Sequence, residues 1–219
     1  MPMVTPKSHA PSSSARLEAA EGLVALGADM HRRGWSLATS SNYSVRLSSD
    51  PLRLLVTASG KHKDRLTTED FVLVDETGAP VEPDSPKSSA ETLLHTAIAR
   101  HTPAGAIVHT HSVWNTLLSD RFATEGQVTI AGYERLKALP TIDTHDTAVD
   151  LAIFPNTQDI AALSDEVCRR FEAGDDAVRH GFLIHKHGLY TWAGDLDGAR
   201  ACTEALEFLM ECEVRRLSS

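Results

Sequence analysis

Apolar residues recur with two different periods along the chain, and these periods predict alternating helices and strands. Residues 16–33 carry an apolar stripe at helical spacing that stops before Gly34, formed by Leu17, Leu23, Val24, Leu26 and Met30. Further helices are predicted over residues 88–100, 113–122 and 157–174 and from Leu196 onward. Shorter apolar runs predict strands over residues 52–59, 71–75, 106–108, 127–132 and 181–192. Residues 39–47 are expected to form a polar turn leading into a strand, and residues 141–156 to be irregular.

This alternation predicts one α/β domain in which helices cover a central sheet. Short turns join several of the strands, so a mixed or antiparallel sheet is expected rather than an all-parallel one. We place the domain at residues 15–219. Residues 1–14 are rich in Ser and Pro and lack the apolar core of a signal peptide, so they are expected to form a disordered tail.

Composition narrows the class of protein. Hydrophobic residues make up 42% of the chain and charged residues 23%, as in ordinary soluble domains. No apolar run approaches the roughly 18 residues of a membrane helix. The net charge of −9, without a basic cluster, argues against nucleic acid as a partner. Three scattered cysteines favour reduced thiols, and a cytoplasmic protein is expected.

A metal site is indicated by the segment AIVHTHS at residues 106–112, in a chain with eleven histidines. Successive side chains of a strand point to opposite faces, so His109 and His111 share one face. Their ring nitrogens can converge on one ion, and a catalytic zinc site takes three protein ligands and keeps one position open. The alternative is a pair of hydrogen-bonded histidines at a strand end.

A second histidine pair, His185 and His187, lies in the strand predicted over residues 181–192. Either could supply a third ligand, and spacing does not choose between them. His187 is followed by Gly188, which permits a close approach of the backbone beside a site.

Two polar segments are candidates for anion binding. The turn that contains Asn42 offers hydroxyl, amide and backbone donors. The strand ending at Ser59 and Gly60 runs into lysines that include Lys63, and exposed N–H groups with cationic side chains can bind a phosphate. A solvated polar loop is the alternative at each place.

The sequence allows two roles each for Glu91 and Glu134. Ser88 followed by Glu91 forms a capping-box pattern, which gives both residues a structural explanation at a helix start. Glu91 also lies one helical turn before His95, so it could serve a site near that helix end. Glu134, at the start of a predicted helical turn, is either a surface charge or an acid/base group.

Five short segments occur in the order found in the class II, zinc-dependent aldolase superfamily, which the chain resembles over about residues 15–215. They are SSN at 40–42, TASG at 57–60, SSAE at 88–91, HTH at 109–111 and HG at 187–188. The superfamily includes sugar-phosphate aldolases, ribulose-phosphate 4-epimerases and methylthioribulose-1-phosphate dehydratases. The resemblance implies a three-layer αβα domain, a homotetramer with active sites between subunits, and one Zn²⁺ per subunit.

The resemblance also assigns site residues. It favours His187 over His185 as the third zinc ligand beside His109 and His111. It implies that the substrate phosphate is held by Asn42, Ser59, Gly60, Ser88 and Ser89, to which we add Lys63 from its place in the basic turn. SSAE is one residue longer than the aldolases' usual SSE, so the correspondence among Ser88, Ser89 and Ala90 stays open.

Local segments lean toward the dehydratase branch. GYERLKAL at residues 132–139 resembles the dehydratase segment that carries the acid/base, which maps onto Glu134, while Glu91 matches the catalytic carboxylate of the aldolases. The resemblance therefore implies dehydration of 5-methylthioribulose 1-phosphate in methionine salvage. An aldolase, a 4-epimerase and a catalytically silent zinc-binding scaffold are the alternatives. An apolar pocket for the methylthio group is expected, with Trp114, Phe122 and Tyr133 as candidates.

Overall fold

The computed structural model describes residues 12–218, and most of the tail expected at residues 1–14 lies outside them. Ser12 caps the first helix: its side chain accepts a hydrogen bond from the amide of Ala15. The helix begins at Ser13, two residues before the domain boundary expected at residue 15.

Five helices and eight strands follow one another in an irregular alternation over the described residues. In chain order these are α1 (Ser13–Arg32), β1 (Asn42–Ser49), β2 (Leu52–Thr57), β3 (Phe71–Val74), α2 (Thr92–His101), β4 (Ala106–Thr110), α3 (Val113–Arg121), β5 (Gln127–Ala131), β6 (Ala148–Phe154), α4 (Ile160–Glu172), β7 (Gly181–Ile184), β8 (Gly188–Ala193) and α5 (Leu196–Leu217). Short 3₁₀ turns lie at Lys63–Arg65, Glu134–Ala138 and Asp176–Val178.

All eight strands form a single sheet in the order β3-β2-β1-β4-β8-β7-β6-β5. Every neighbouring pair is antiparallel except β6 and β7, which run parallel. The mixed, mostly antiparallel sheet expected from the short connections is therefore confirmed. Strands β4 and β8 lie in its middle, so the HTH segment is built on the most enclosed part of the fold.

The sheet is covered on both faces, which gives the expected three layers. One core cluster joins the sheet to α1 and α5 through residues such as Leu23, Leu206 and Leu209. The other joins the opposite face to α2 and α4 through residues such as Ile98 and Val167. Because both faces of the sheet are covered, β4, β7 and β8 are buried along their whole length rather than at alternate positions.

Two stretches differ from the sequence-based expectation. Residues 148–154, expected to be irregular, form β6, whose inner residues Val149 and Leu151 are buried beside β5 and β7. The strand expected over residues 181–192 is a hairpin of β7 and β8. His185 and His187 lie in its turn, where they do not share a strand face.

Of the described helices, none is long and apolar enough to cross a membrane.

Candidate active site

Three histidines meet at the centre of the sheet edge where β4 ends. Ligand nitrogens of His109, His111 and His187 all lie within 4.8 Å of one another. The Nδ1 atom of His109 lies 2.9 Å from the carbonyl oxygen of Leu189 and donates to it, so its Nε2 atom faces the cluster without a proton. The Nε2 atoms of His109 and His111 are 2.7 Å apart. The shared face predicted for the HTH segment is thus confirmed.

The β4–β8 pairing fixes this geometry. His109 lies opposite Tyr190 in the register, and the two rings stack with centroids 4.0 Å apart. The turn after β7 brings His187 beside the same rings, with its centroid 4.6 Å from that of His111. The backbone of Gly188 lies so close to β4 that an added Cβ would sit 2.2 Å from the carbonyl oxygen of Thr110. The close approach expected at Gly188 is therefore present.

His185 takes no part in the cluster. Its Nε2 atom lies 3.1 Å from the carboxylate of Asp120, in the last turn of α3. Lys186, between the two histidines, has a φ of 52°, a left-handed conformation that turns the chain sharply. The two side chains therefore point to different partners, and His187 is the third member of the cluster.

Glu91 lies against the cluster rather than capping its helix. Its Oε1 atom is 3.0 Å from His187 Nε2, and its Oε2 atom is 3.7 Å from His109 Nε2. The capping-box prediction for Ser88 and Glu91 is wrong: Glu91 has a helical backbone and makes no side-chain cap, and Ser89 Oγ accepts from its amide. The carboxylate is consequently free to serve the site.

The charge state of this group follows from its surroundings. Burial acts to raise the pKa of Glu91, but the electrostatic interaction with His109 and hydrogen bonds with His187 and Asn42 outweigh it and hold the pKa well below its usual range. Burial lowers the pKa of His109 to about 4 and also lowers that of His111. Neutral imidazoles beside an ionised carboxylate are the protonation states that a divalent metal requires.

The donor set fits a catalytic metal centre. Three imidazoles with a carboxylate close by, on a strand end that opens into a pocket, match a three-ligand site with an open position. Histidine nitrogens suit Zn²⁺, although imidazole also binds other first-row metals.

A pocket of about 110 Å³ opens beside the histidines and brings together most residues predicted to bind phosphate. Its walls come from the turn before β1, the end of β2, the segment before α2 and the cluster itself. They are formed by Thr39, Ser40, Ser41, Asn42, Ala58, Ser59, Gly60, Lys63, Ser89, Glu91 and His111.

Ser88 is not part of this lining. Its backbone forms an isolated antiparallel bridge with Ala58, which holds the loop before α2 against the end of β2. Ser89 is the serine that faces the pocket, so the structure favours Ser89 where the sequence left the choice open.

Glu134 lies in a different part of the molecule. It pairs with Lys137 and lies 3.5 Å from His145, its side chain is 70% exposed, and it borders a surface depression with Phe208. Within one chain the structure does not bring it to the histidine cluster. Its acid/base role stays a prediction that requires a second copy of the chain.

The aromatic candidates for a methylthio pocket are half-buried. Trp114, Phe122 and Tyr133 pack against the core cluster under α1 and α5, and none lines the pocket beside the histidines.

Sequence reasoning missed the buried polar residues behind the site. Ser44 and His95 are fully buried and lie directly behind Asn42. Glu207 on α5 is buried under the HTH segment and accepts hydrogen bonds from Thr110 and Asn115. The i, i+4 spacing of Glu91 and His95 was the one signal available for this group.

Comparison with known proteins agrees with this arrangement. Residues 21–214 match the family model described as the class II aldolase and adducin N-terminal domain. A protein of Pseudomonas fluorescens named methylthioribulose-1-phosphate dehydratase is 45% identical over 94% of this chain and 97% of its own length. A protein of the same name from Gluconobacter oxydans is 43% identical over 89% of this chain and 90% of its own length.

Solved structures share the fold at lower identity. An L-fuculose-1-phosphate aldolase from Thermus thermophilus superposes with a TM-score of 0.68 at 23% identity, over 92% of this chain and 97% of its own. A sugar-phosphate aldolase from Thermotoga maritima gives a TM-score of 0.65 at 20% identity, over 92% of this chain and 95% of its own.

Proposed function

The chain belongs to the class II aldolase and adducin N-terminal domain family, and from that premise we propose that it is a dehydratase acting on 5-methylthioribulose 1-phosphate. The product would be 2,3-diketo-5-methylthiopentyl 1-phosphate, formed with release of water in methionine salvage. The observation that carries the proposal is the joint presence of the histidine cluster, Glu91 and a polar anion pocket in a chain 45% identical to a relative of that name.

The metal is proposed to be zinc, one ion per subunit, held by His109, His111 and His187. When bound, it would supply a Lewis acid that polarises the substrate carbonyl and stabilises negative charge as the C3 proton leaves. His109 is oriented for this task by the carbonyl of Leu189 and by the stacked ring of Tyr190. Such supporting contacts typically strengthen a metal site.

The pocket beside the histidine cluster would orient the substrate by binding its phosphate. We assign the phosphate to Asn42, Ser59, Gly60, Lys63 and Ser89, which combine amide, hydroxyl, backbone and ammonium donors in one small space. A phosphate fixed there would extend the sugar carbons toward His111 and Glu91, which line the same pocket. Ser88 supports this loop through its backbone bridge to Ala58.

The chemistry requires a base for the C3 proton and an acid for the leaving C4 hydroxyl. Glu91 is ionised and lines the pocket, so it is the base that one copy of the chain provides. Glu134 is the candidate acid/base that would enter from a neighbouring copy. One proton is taken from C3 and one is given to the leaving C4 hydroxyl, so the substrate loses one water in total.

Self-association, with a homotetramer as the expected form, is also proposed. Exposed apolar side chains are concentrated on α3 and α5, where Val113 is 63% exposed and Leu117 47%. Helix α3 begins directly after the HTH segment, so a copy that covers this face would approach the site. With all three cysteines free, a cytoplasmic location is proposed for the enzyme.

The test is to incubate zinc-loaded protein with 5-methylthioribulose 1-phosphate and to follow the product by absorbance and mass. A product lighter by one water, formed by the wild type and lost in His109→Ala, is expected. His185→Ala is the matched control, because this neighbouring histidine pairs with Asp120 outside the cluster and should retain activity.

Other outcomes would replace the proposal. Cleavage of fuculose 1-phosphate without dehydration would make the protein an aldolase with Glu91 in the aldolase role. Tight zinc binding with turnover of neither substrate, nor of ribulose 5-phosphate, would favour a silent scaffold of the same fold.

A further inference from the structure

A buried chain of hydrogen bonds lies directly behind Glu91. The carboxylate Oε2 atom accepts from Asn42 Nδ2 at 2.6 Å, and Asn42 Oδ1 is bonded to His95 Nε2. On the far side, His95 Nδ1 lies 2.8 Å from Ser44 Oγ. Ser44 and His95 are fully buried and Asn42 is 4% exposed, so water does not compete for these bonds.

The polarity of this chain is fixed from one end to the other. An ionised carboxylate only accepts hydrogen bonds, so Asn42 must present its amide nitrogen to Glu91 and its carbonyl oxygen to His95. His95 must then donate from Nε2 and accept at Nδ1, where Ser44 donates. This requires a neutral imidazole, and burial does lower the pKa of His95 to about 4.

Strand β1 and the start of helix α2 each supply two residues of this hydrogen-bonded chain. Asn42 and Ser44 lie two residues apart on β1 and therefore share a face of the strand. Glu91 and His95 lie four residues apart, one helical turn, at the start of α2. Tyr190 closes the group, with its ring edge-on to His95 at a centroid distance of 5.7 Å.

Asn42 has two tasks in this position. One N–H of its amide holds Glu91, and the residue also lines the pocket assigned to the substrate phosphate. Rotation of the amide by half a turn would place its oxygen against the Glu91 carboxylate and remove its donors from the pocket. The bond from His95 opposes this rotation from the side opposite the Glu91 carboxylate, so that both ends of the amide are held.

We propose that His95 is a positioning residue that acts through Asn42 and orients one amide toward both the acid/base carboxylate and the phosphate pocket. The proposal rests on the proposed function for the roles of Glu91 and the pocket. It concerns a residue that does not line the pocket and whose side-chain hydrogen bonds go to Asn42 and Ser44 rather than to the metal ligands.

The test compares His95→Leu, which removes the donor, with His95→Gln, whose amide nitrogen can replace Nε2. The primary measurement is the dissociation constant of inorganic phosphate for zinc-loaded protein, which does not depend on turnover. His95→Leu should weaken phosphate binding and lower kcat on 5-methylthioribulose 1-phosphate by about 10- to 100-fold, because the Asn42 amide would no longer be held in place for its hydrogen bonds to charged groups, the Glu91 carboxylate and the phosphate. His95→Gln should restore most of both.

Packing effects are separated by controls and by a double-mutant cycle. Zinc content and melting temperature are measured for every variant. His101→Gln tests a substitution at the last residue of the same helix, nearly three turns from Glu91, at a histidine bonded to Ala97 and Glu172. In an Asn42→Ala background, His95→Leu should weaken phosphate binding by less than about twofold, because it acts only through Asn42. Ser44→Ala should show a smaller loss in the same direction as His95→Leu.

Three results would overturn the proposal. In the first, folded His95→Leu binds phosphate as tightly as the wild type. In the second, the effects of His95→Leu and Asn42→Ala on phosphate binding are fully additive. In the third, His95→Gln loses as much phosphate affinity as His95→Leu. Phosphate binding that follows the expected pattern while the wild type fails to dehydrate the substrate would reject the proposed reaction and leave the positioning role in place.

Discussion

Lys63 is a buried cation placed at the wall of an anion pocket. Its side chain is almost fully enclosed, and Nζ donates to the carbonyl oxygens of Lys61 at 2.7 Å and Thr39 at 3.3 Å. An ammonium group has three donors, so one remains for a ligand. Burial lowers the pKa of Lys63 to about 8, and the charge of Glu91 opposes this shift.

Phosphate binding should therefore weaken as the pH rises through 8. Lys63 is charged below that pH and neutral above it, so the dissociation constant of inorganic phosphate should rise by up to about tenfold per pH unit above 8. Lys63→Met should bind more weakly at pH 7 and show little further change up to pH 9.5. Lys61→Met is the control, because Lys61 pairs with Asp70 outside the pocket. An unchanged pH dependence in Lys63→Met would assign the titration to another group.

Individual ligands were predictable where the spacing is local. His109 and His111 share a face because a strand alternates, and this needs no knowledge of the rest of the fold. The choice between His185 and His187 depends on the left-handed turn at Lys186, which no spacing rule contains. The pattern at Ser88 and Glu91 is compatible with a cap and with a site carboxylate, and only the packing of α2 against β1 and the hairpin decides between them.

The β7–β8 hairpin carries His187 to the cluster, and Gly188 sets how closely it packs. A Cβ at this position would lie 2.2 Å from the Thr110 carbonyl oxygen and 2.7 Å from His109 Cε1. Because one obstacle is the backbone of β4, the clash cannot be relieved by a rotamer change. The strands would have to separate, and both His109 and His187 would move.

Gly188→Ala should consequently weaken zinc binding by about 10- to 100-fold, the cost typical of disturbing the contacts that orient metal ligands. The measurement is a competition titration with a chromogenic chelator, with circular dichroism to confirm the fold. Gly194→Ala is the matched control at the other end of β8, where an added Cβ meets nothing within 4 Å. Zinc affinity equal to wild type in Gly188→Ala would show that the hairpin does not set the ligand geometry.

Helix α5 is tied to the end of β4 by a buried carboxyl group. Glu207 Oε1 accepts from Thr110 Oγ1 at 2.6 Å and from Asn115 Nδ2 at 3.1 Å, beneath the segment that joins two metal ligands. Burial raises the pKa of Glu207 from 4.5 to about 7, although hydrogen bonds from Ser112, Thr110 and Asn115 oppose the shift. The folded state therefore holds this proton more tightly than the unfolded state.

The sign of the resulting pH dependence is fixed. The protonated group contributes its full stability below pH 4.5, and this contribution declines as the pH rises to about 7 and then levels off. At about 1.4 kcal/mol per pH unit the decline totals roughly 3 kcal/mol. Glu207→Gln stays neutral, so its free energy of unfolding relative to wild type should rise over the same interval.

Urea unfolding at pH 5 and pH 8, at one fixed protein concentration, measures this difference. The control for replacing a glutamate in this helix is Glu204→Gln. Glu204 lies about one turn earlier on α5, and its side chain is 33% exposed. If the free energies of unfolding of wild type and Glu207→Gln changed in parallel between pH 5 and pH 8, the Glu207 carboxyl group would be ionised over that whole range.

Secondary structure was predictable where the apolar pattern is long, as in α1 and α5. The missed strand β6 follows a polar stretch that contains Asp143, His145 and Asp146, and Asp150 interrupts its own apolar run. It becomes a strand because β5 and β7 offer it two hydrogen-bonding edges. The order of the sheet likewise depends on pairings between segments far apart in sequence, such as β1 with β4 and β4 with β8.

Because Glu134 lies away from the histidine cluster of its own chain, its proposed role in catalysis depends on how copies of the chain assemble. One copy of the chain holds the histidines, Glu91 and the phosphate pocket together, but Glu134 is exposed beside Lys137 and His145. The exposed apolar residues of α3 and α5, among them Leu117 and Phe208, offer a face for a second copy. If Glu134 completes a neighbouring site, activity depends on both chains.

Mixing two inactive variants tests this dependence directly. Glu91→Gln and Glu134→Gln should each lower kcat by at least about 100-fold, the usual contribution of a positioned acid or base, while zinc stays bound. In oligomers formed by co-refolding equal amounts, about a quarter of the sites would combine an intact Glu91 from one chain with an intact Glu134 from the next, so activity should recover to about a quarter of wild type. A mixture no more active than its parents would place both carboxylates in one chain's site. Near-normal activity of Glu134→Gln alone would remove Glu134 from the mechanism and leave Glu91 as the acid/base.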